Sequence, residues 1–397
     1  MPLPLLGTTQ IGVLGAGAMG SGIAQVAAAA GHRVVVVDSY APSLEKARVG
    51  IQKSLAREVE KGRFGSDAER DIQQRIRFEP SNGEDLGAFK DCGLVIEAIV
   101  EELEAKQRAF RAMESAVGDG CVLATNTSSL SVGAIASACR HPGRVIGLHF
   151  FNPATVLPLV EVVAAITSDG AIADRAGQLV ATWGKTTVRV ADTPGFIVNR
   201  VARPFYGESL RICEEGIADI ATIDWALKEL GGFRMGPFEL MDLIGNDVNY
   251  AVTKSVFEAF YYDPRYRPSL TQRRMVEAGR LGRKTGVGYY EYRDGAARPE
   301  PKMDRAIGQQ VLDRVLAMLI NEAADAVQLR VASPTDIDLA MTKGVNYPKG
   351  LLAWCDEIGA KVVHERLVAL QDEYGEDRYR PSPLLKRMAA NGRRFFS

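Results

Sequence analysis

The chain lacks the features that would make it a zinc protein, a disulfide scaffold, a membrane span or a nucleic-acid binder. Its five cysteines, at 92, 121, 139, 213 and 355, form no CxxC pair and no zinc-ligand spacing. No resident metal is therefore expected, and an odd, scattered set points to reduced thiols in a reducing compartment. No apolar run approaches the roughly 20 residues needed to cross a bilayer. The opening MPLPLLGTTQ has no basic n-region of the kind a signal peptide carries. A cytoplasmic protein without a membrane partner is expected. Lys and Arg number 48 against 49 Asp and Glu, a net charge of −1, so no global field favours nucleic acid. Histidine is scarce, with four in 397 residues. The apolar content of 46 % is ordinary for a globular protein, and the length predicts two or three domains.

In the first half, short β-branched runs alternate with helical stretches. Ile11–Leu14, Val34–Val37, Leu94–Ile96, Val122–Ala124 and Val145–Leu148 read as strands, and the alternation predicts a doubly wound, mostly parallel sheet. The polar stretch 42–75 carries Leu44, Ala47, Ile51, Leu55 and Val59 at helical spacing and reads as a helical excursion projecting from the sheet. After Asp192-Thr193-Pro194-Gly195 the strands give way to helices. Asp294–Pro301, DGAARPEP, has the composition of a linker.

An internal repeat crosses that linker. Arg200, Glu208, Asp224, Ala226, Gly236, Asp242 and Gly245 recur as Arg314, Glu322, Asp338, Ala340, Gly350, Asp356 and Gly359, each pair 114 residues apart. RYRPS at Arg265–Ser269 returns at Arg378–Ser382, and Met275 and Arg280 return as Met388 and Arg393, all 113 apart. An in-register series of this kind marks a duplicated helical domain. The expected division is an α/β dinucleotide-binding domain over 1–191, a helical domain over 192–295 and its second copy over 304–397. A duplicated unit that buries its apolar face against its copy does within one chain what a homodimer does with two. Monomer and homodimer are both open.

Gly15-Ala16-Gly17-Ala18-Met19-Gly20 fits GxGxxG between a strand and the helix Met19–Ala30, and the next strand ends in Asp38. That context is the dinucleotide fingerprint of a Rossmann domain. Gly15 permits the tight turn, Gly17 lets a pyrophosphate approach the backbone, and Gly20 lets helix pack on strand. The helix N-terminus supplies amides and partial positive charge for phosphates. Asp38 is placed to accept from ribose hydroxyls and would repel a 2′-phosphate, while Ser39-Tyr40-Ala41 offers no arginine. NAD is therefore expected rather than NADP. The run Ala124–Ser129, with Asn126 and Ser128, follows a strand and reads either as a hydrogen-bonding patch for nicotinamide or substrate, or as a plain helix cap.

Val145–Val163 reads VIGLHFFNPATVLPLVEVV, and it sets His149 and Glu161 at facing edges of two apolar strands joined by an Asn152-Pro153 turn. A lone carboxylate in such a frame needs a partner, and His149, twelve residues earlier, can supply it. The pair is either a structural ion pair or a carboxylate-oriented general base. His32, His141 and His364 have no such frame and read as surface residues.

With GVLGAGAMGSGIA, NTSSLS, GLHFFNP, LVEVV and DTPGFIVNR in this order, nearly the whole chain resembles the L-3-hydroxyacyl-CoA dehydrogenases. The resemblance implies oxidation of an L-3-hydroxyacyl-CoA to the 3-oxoacyl-CoA with NAD, in fatty-acid or phenylacetate breakdown. Either 3-hydroxybutyryl-CoA or a dicarboxylic 3-hydroxyadipyl-CoA is an expected substrate. It implies His149 as base, Glu161 as its orienter, and Ser128 and Asn199 as holders of the 3-oxygen and thioester carbonyl. Asn152 helps fix the site, Glu101 and Lys106 lie on the nicotinamide side, and Ser54 and Lys61 match positions that touch coenzyme A. Pro158 stands where many relatives have lysine, and Asp313 in the second copy stands where the first has Asn199. A free hydroxy-acid or sugar-acid dehydrogenase and a crystallin-like structural protein are the other readings; the first would not need Ser54 and Lys61.

Overall fold

The computed structural model describes residue 5 and residues 7–63, 65–82 and 85–396. The reading of the first four residues and Leu6 as no signal segment falls outside them, as do Phe64 of the excursion and the terminal Ser397. The chain divides into two compact units, Met1–Thr193 and Pro194–Ser397.

The first unit is built on one sheet of eight strands among the described residues: β1 (Ile11–Leu14), β2 (Val34–Asp38), β3 (Ile76–Pro80), β4 (Leu94–Glu97), β5 (Val122–Thr125), β6 (Val145–Phe150), β7 (Leu159–Ala164) and β8 (Thr186–Ala191). Their order is β3-β2-β1-β4-β5-β6-β7-β8. The strands from β3 through β6 are parallel, β7 runs antiparallel to β6, and β8 is parallel to β7. The central strands are continuous apolar runs because helices cover both faces. Helices α1 (Ala18–Ala29), α2 (Ala41–Glu60), α3 (Ser66–Gln74) and α6 (Gly170–Ala181) bury their apolar stripes with Ile11, Val13, Val34, Val36 and Ile96 in one core. Helices α4 (Leu103–Ala116) and α5 (Val132–Ala136) pack against β4–β6.

Three expectations change. The stretch 42–75 does not project: Leu44, Ala47, Ile51 and Leu55 of α2 are buried against the sheet, since an apolar stripe on a helix must find cover. Strand β8 was passed over, although TTVRVA is rich in β-branched residues and buries Val188 and Val190 in alternation. His32 is not a surface residue: it is 1 % exposed. Its Nε2 accepts from Trp183 Nε1–H at 2.9 Å, so its proton sits on Nδ1 and is donated to Thr9 O at 2.8 Å. Burial holds the His32 pKa below its ordinary value, against the Thr9 contact.

The second unit is all helical. Its first copy contains α7 (Val198–Val201), α8 (Arg203–Glu214), α9 (Ile220–Trp225) continued by a π turn, α10 (Pro237–Ile244), α11 (Asn246–Ala259) and α12 (Leu270–Glu277). Its second contains α13 (Arg305–Gln328), α14 (Pro334–Gly344), α15 (Leu351–Ile358), α16 (Ala360–Tyr374) and α17 (Pro383–Asn391). The repeated residues do the same work in each. Asp224 accepts from the amides of Phe238 and Glu239 at the start of α10, and Asp338 accepts from those of Leu352 and Ala353 at the start of α15. A Cβ at Gly236 or Gly350 would sit 2.2 Å from the respective carboxylate oxygen.

The copies exchange buried ions reciprocally. Arg200 Nε and the Tyr266 hydroxyl each donate to Glu322 Oε1 at 2.6 Å, with Arg265 3.4 Å from the other oxygen. In mirror fashion, Arg314 Nε donates to Glu208 Oε2 at 3.0 Å and the Tyr379 hydroxyl donates to the same oxygen at 3.1 Å, with Arg378 3.5 Å from the other oxygen. Burial opposes ionisation of both glutamates. The closer arginines hold Glu322 below the usual carboxylate range, whereas burial wins at Glu208.

Glu322→Ala strands Arg200 without its carboxylate and is expected to destabilise the protein by about 3–5 kcal/mol in urea unfolding, the usual cost of breaking a buried pair. His32 contributes stability that is present above its unfolded pKa of about 6.5 and lost as pH falls through it, because the unfolded chain protonates first. His32→Gln is expected to flatten the stability–pH slope in that window, as read by thermal melts across a pH series.

Candidate active site

Hydrogen bonds tie the carboxyl ends of the parallel strands into one rim. The Ala98 amide donates to Leu14 O at 2.7 Å, the Asn126 amide to Glu97 O at 2.8 Å, and the Phe150 amide to Asn126 Oδ1 at 2.8 Å. The strand order reverses between β1 and β4, and ligands of open α/β sheets bind at such a reversal.

At the first station of the rim, β1 turns into α1. Gly15 has φ +105°, and a Cβ on Gly20 would lie 1.9 Å from Gly15 O, so both glycines are demanded by the backbone. Gly17 differs: a Cβ there meets nothing within 4 Å, and no side chain caps the helix that Ala18 and Met19 begin. A bare helix N-terminus is thus left open at Gly17. Asp38, ending β2, accepts from the Ala16 amide at 2.7 Å and the Tyr40 amide at 2.8 Å, so it braces the turn from the neighbouring strand.

The second station is a charge cluster that sequence reasoning half found. Lys106 is 1 % exposed, and its ammonium lies 2.5 Å from Glu97 and 3.2 Å from Glu101. Glu97 was missed. It ends the apolar strand LVIE fully buried, and also accepts from Thr125 Oγ1–H at 2.6 Å and the Ile99 amide at 2.7 Å. The signal that drew attention to Glu161, one carboxylate in an apolar strand, was present here too. Glu101 gathers the 127–129 loop, accepting from Thr127 Oγ1–H, the Ser128 amide, and the Ser129 amide and hydroxyl. Burial pushes its pKa up, but Lys106 and these donors hold it below the usual range. Ser131 caps α5 instead, accepting from the Ala134 amide. Asp192, also missed, supports that helix start through Val132, Gly133 and the Ser131 hydroxyl.

The third station is the β6–β7 pair. His149 and Glu161 are register partners across the antiparallel ladder, and Nδ1 lies 2.7 Å from Glu161 Oε2. His149 is 5 % exposed and Glu161 0 %. Asn152 is exposed in the connecting turn, where its bond to Pro153 is cis.

On α2, Ser54 and Lys61 line a cleft of about 860 Å³ with Lys53, Arg57, Pro158 and Lys185. Ser54 accepts from Gln25 Nε2–H at 3.1 Å, and Lys61 pairs with Glu58 at 3.0 Å. In the second unit, Asn199 is half-buried on α7, while its counterpart Asp313 is paired with Arg366 at 2.8 Å. No group of three metal-ligating side chains occurs among the described residues, and no helix among them is long and apolar enough to cross a membrane.

Residues 10–193 match the NAD-binding domain of 3-hydroxyacyl-CoA dehydrogenase, and its C-terminal domain matches twice, at 195–292 and 311–394. The chain belongs to the 3-hydroxyacyl-CoA dehydrogenase family. It is 38 % identical to the 3-hydroxyadipyl-CoA dehydrogenase of Escherichia coli K12, over 97 % of this chain and 98 % of that one. It is 41 % identical to the 3-hydroxybutyryl-CoA dehydrogenase of Mycobacterium tuberculosis, over 71 % of this chain and 98 % of the relative. A crystal structure of 3-hydroxybutyryl-CoA dehydrogenase from Escherichia coli K12 superposes with a TM-score of 0.90 at 37 % identity, covering 97 % of this chain and 99 % of the other. The family's Rossmann sheet and helical C-terminal architecture are those described above, and the protein is an NAD-dependent oxidoreductase.

The turn fits NAD on its own geometry: an open glycine at an uncapped helix start, an aspartate at the end of β2, and no arginine beside it for a 2′-phosphate. Gly17→Val is expected to weaken NADH binding at least roughly tenfold, about 1.4 kcal/mol, without moving the melting temperature. Gly20→Val, whose Cβ has no room, is expected to yield little folded protein. Fluorescence titration and thermal melts on both variants check the contrast.

Proposed function

We propose that the enzyme oxidises an L-3-hydroxyacyl-CoA to the 3-oxoacyl-CoA with His149 as general base. The observation that carries this reading is the buried 2.7 Å contact of His149 Nδ1 with Glu161. With Nδ1–H donated to Glu161, proton exchange falls to Nε2 of a neutral ring. Nε2 takes the proton of the 3-hydroxyl, and Glu161 stabilises the imidazolium that forms. NAD⁺ supplies the hydride acceptor. Ser128 and Asn199 hold the 3-oxygen and thioester carbonyl, and Asn152 fixes the turn beside the base. Glu101 and Lys106 order the loop on the nicotinamide side, and Asn126 anchors the rim there.

Ser54 and Lys61 contact coenzyme A. The basic lining of their cleft, with Lys53, Arg57 and Lys185, supports that role, since coenzyme A carries phosphates. Remote binding of this kind serves to align the reacting carbon. We assign 1–191 to the cofactor, 192–295 to the acyl substrate, and 304–397 to a scaffold that replaces a dimer contact. All five cysteines are free thiols, four of them buried, which supports a reducing, cytoplasmic setting. A dicarboxylic substrate such as 3-hydroxyadipyl-CoA, arising in phenylacetate breakdown, matches the name of one relative that aligns over 97 % of this chain, and 3-hydroxybutyryl-CoA matches the name of the crystal structure that covers as much.

His149→Ala is expected to lower kcat by roughly 10²–10⁴-fold with NADH affinity retained. Glu161→Gln is expected to cause a smaller loss of kcat, also with NADH affinity retained. Following NADH formation with 3-hydroxyacyl-CoAs and the matching free acids checks both. Equal turnover of the free acids, or an undiminished His149→Ala rate, would contradict the assignment.

A further inference from the structure

One arginine in the second unit breaks a pattern that every other buried arginine there obeys. Among the described residues Arg200, Arg203, Arg265, Arg314 and Arg378 are buried in this unit. Four have carboxylates: Arg200 has Glu322, Arg265 has Glu322 and Asp325, Arg314 has Glu208 and Glu215, and Arg378 has Glu208 and Glu376. Arg203, 7 % exposed, has none. Its NH1 donates to the Thr253 hydroxyl at 3.0 Å, its guanidinium lies 5.0 Å from the centre of the Tyr206 ring, and its Nε has no hydrogen-bond partner. Burial without a counter-charge pulls its pKa below the ordinary arginine value. The buried Tyr347 hydroxyl nearby also lacks a partner. A buried guanidinium held by one hydroxyl and one ring is a costly arrangement for the fold alone.

The duplication supplies an internal control. The 114-residue offset places Ala317 opposite Arg203 and Leu367 opposite Thr253, and both counterparts are buried. The same helical scaffold therefore packs with apolar residues at these positions. The copy that lacks the arginine is also the copy with Asp313 in place of Asn199. Fold does not require Arg203; the difference between the copies follows the substrate-holding residue.

Position completes the case. Arg203 is four residues past Asn199, and only Ala202, itself near helical, interrupts α7 and α8 between them. Four residues of helical rise amount to about 6 Å along the axis, with the turn at Ala202 breaking the helix between the two. The five bonds from C1 to C6 of an acyl chain, each about 1.5 Å, span a comparable length. Tyr347 and Phe205, close to Arg203, line a cleft of about 240 Å³ that includes Arg234 and no acidic residue; Arg203 itself is not among the lining residues.

Resting on the assignment of Asn199 to the thioester end, we propose that Arg203 receives the terminal carboxylate of a dicarboxylic 3-hydroxyacyl chain. The guanidinium fork matches a carboxylate bidentately, and the substrate's own charge supplies the counter-ion that the fold withholds. Such a site rejects a chain without the charge, because the buried cation is then left unmatched.

The experiment compares 3-hydroxyadipyl-CoA with 3-hydroxyhexanoyl-CoA, of equal length but uncharged at C6. Wild-type kcat/KM is expected to favour the dicarboxylic substrate by roughly 10²-fold or more. Arg203→Leu is expected to collapse that ratio, and Arg203→Lys to retain part of it. A wild-type ratio near one, or an Arg203→Leu variant that slows both substrates equally, would overturn the proposal. Calorimetry with adipyl-CoA and hexanoyl-CoA does not depend on turnover, and on the wild-type protein it does not depend on any variant folding. Tighter adipyl-CoA binding that Arg203→Lys weakens and Arg234→Leu leaves in place supports the arginine's role even if the dehydrogenase reading fails, and equal binding to the wild type refutes it even if turnover is observed.

Discussion

A charge taken out of water must meet an opposite charge or enough hydrogen bonds, and most of this chain's organisation can be traced to how it satisfies that demand. Secondary structure does the matching. The antiparallel register of β6 and β7 puts His149 opposite Glu161. The step from β4 to α4 brings Lys106 back over Glu97 nine residues later. In both cases a carboxylate inside an apolar strand is tolerable only because the topology returns a base to it. The consequences differ with the partner. A lysine fixes a loop, whereas an imidazole held through one ring nitrogen leaves the other able to exchange a proton. The rim of the sheet thus holds two buried pairs of different chemistry.

The helical unit applies the same rule across a duplication. Arg200 reaches Glu322 while Arg314 reaches Glu208, and Tyr266 and Tyr379 complete each cluster. A residue on each copy contacting its repeat-mate's partner on the other is the self-complementary pattern of a two-fold dimer interface. Fusion into one chain removes the concentration dependence of such a contact and lets the halves diverge. They have diverged unequally. Asn199, Arg203 and Thr253 face Asp313, Ala317 and Leu367 at equivalent positions, while the cluster and the Asp224 and Asp338 helix starts are kept.

Much of this was legible in the sequence because it is local or periodic. GAGAMG between a strand and a helix, His149 and Glu161 in apolar runs, and a 114-residue repeat each announce themselves within a window. What escaped depends on partners far along the chain. His32 read as a surface residue because Trp183, its hydrogen-bond donor, lies 151 residues away. The excursion's apolar stripe was visible at helical spacing, but the surface that covers it was not, because it is assembled from strands and a helix elsewhere in the chain. Strand β8 escaped because its alternation, Val188 and Val190 buried between less buried neighbours, is short and sits at the sheet edge. Glu97 was legible by the rule applied to Glu161 and was passed over because its partner is a lysine on the next helix, not a residue across a turn.

The matched pairs explain why the chemistry is common to a family, and the unmatched charge explains how a member can differ. A base at His149, as proposed, would act on the 3-hydroxyl that every such chain carries, and the open helix start serves the cofactor, so neither distinguishes one acyl chain from another. Discrimination needs a group that costs energy when the wrong chain is bound, and a satisfied ion pair cannot do that. A buried cation without a carboxylate can. Its cost is carried by the empty protein and relieved by one class of ligand, so its place in the first helical copy, one turn from Asn199, is where selectivity would be built with least disturbance to the reaction itself.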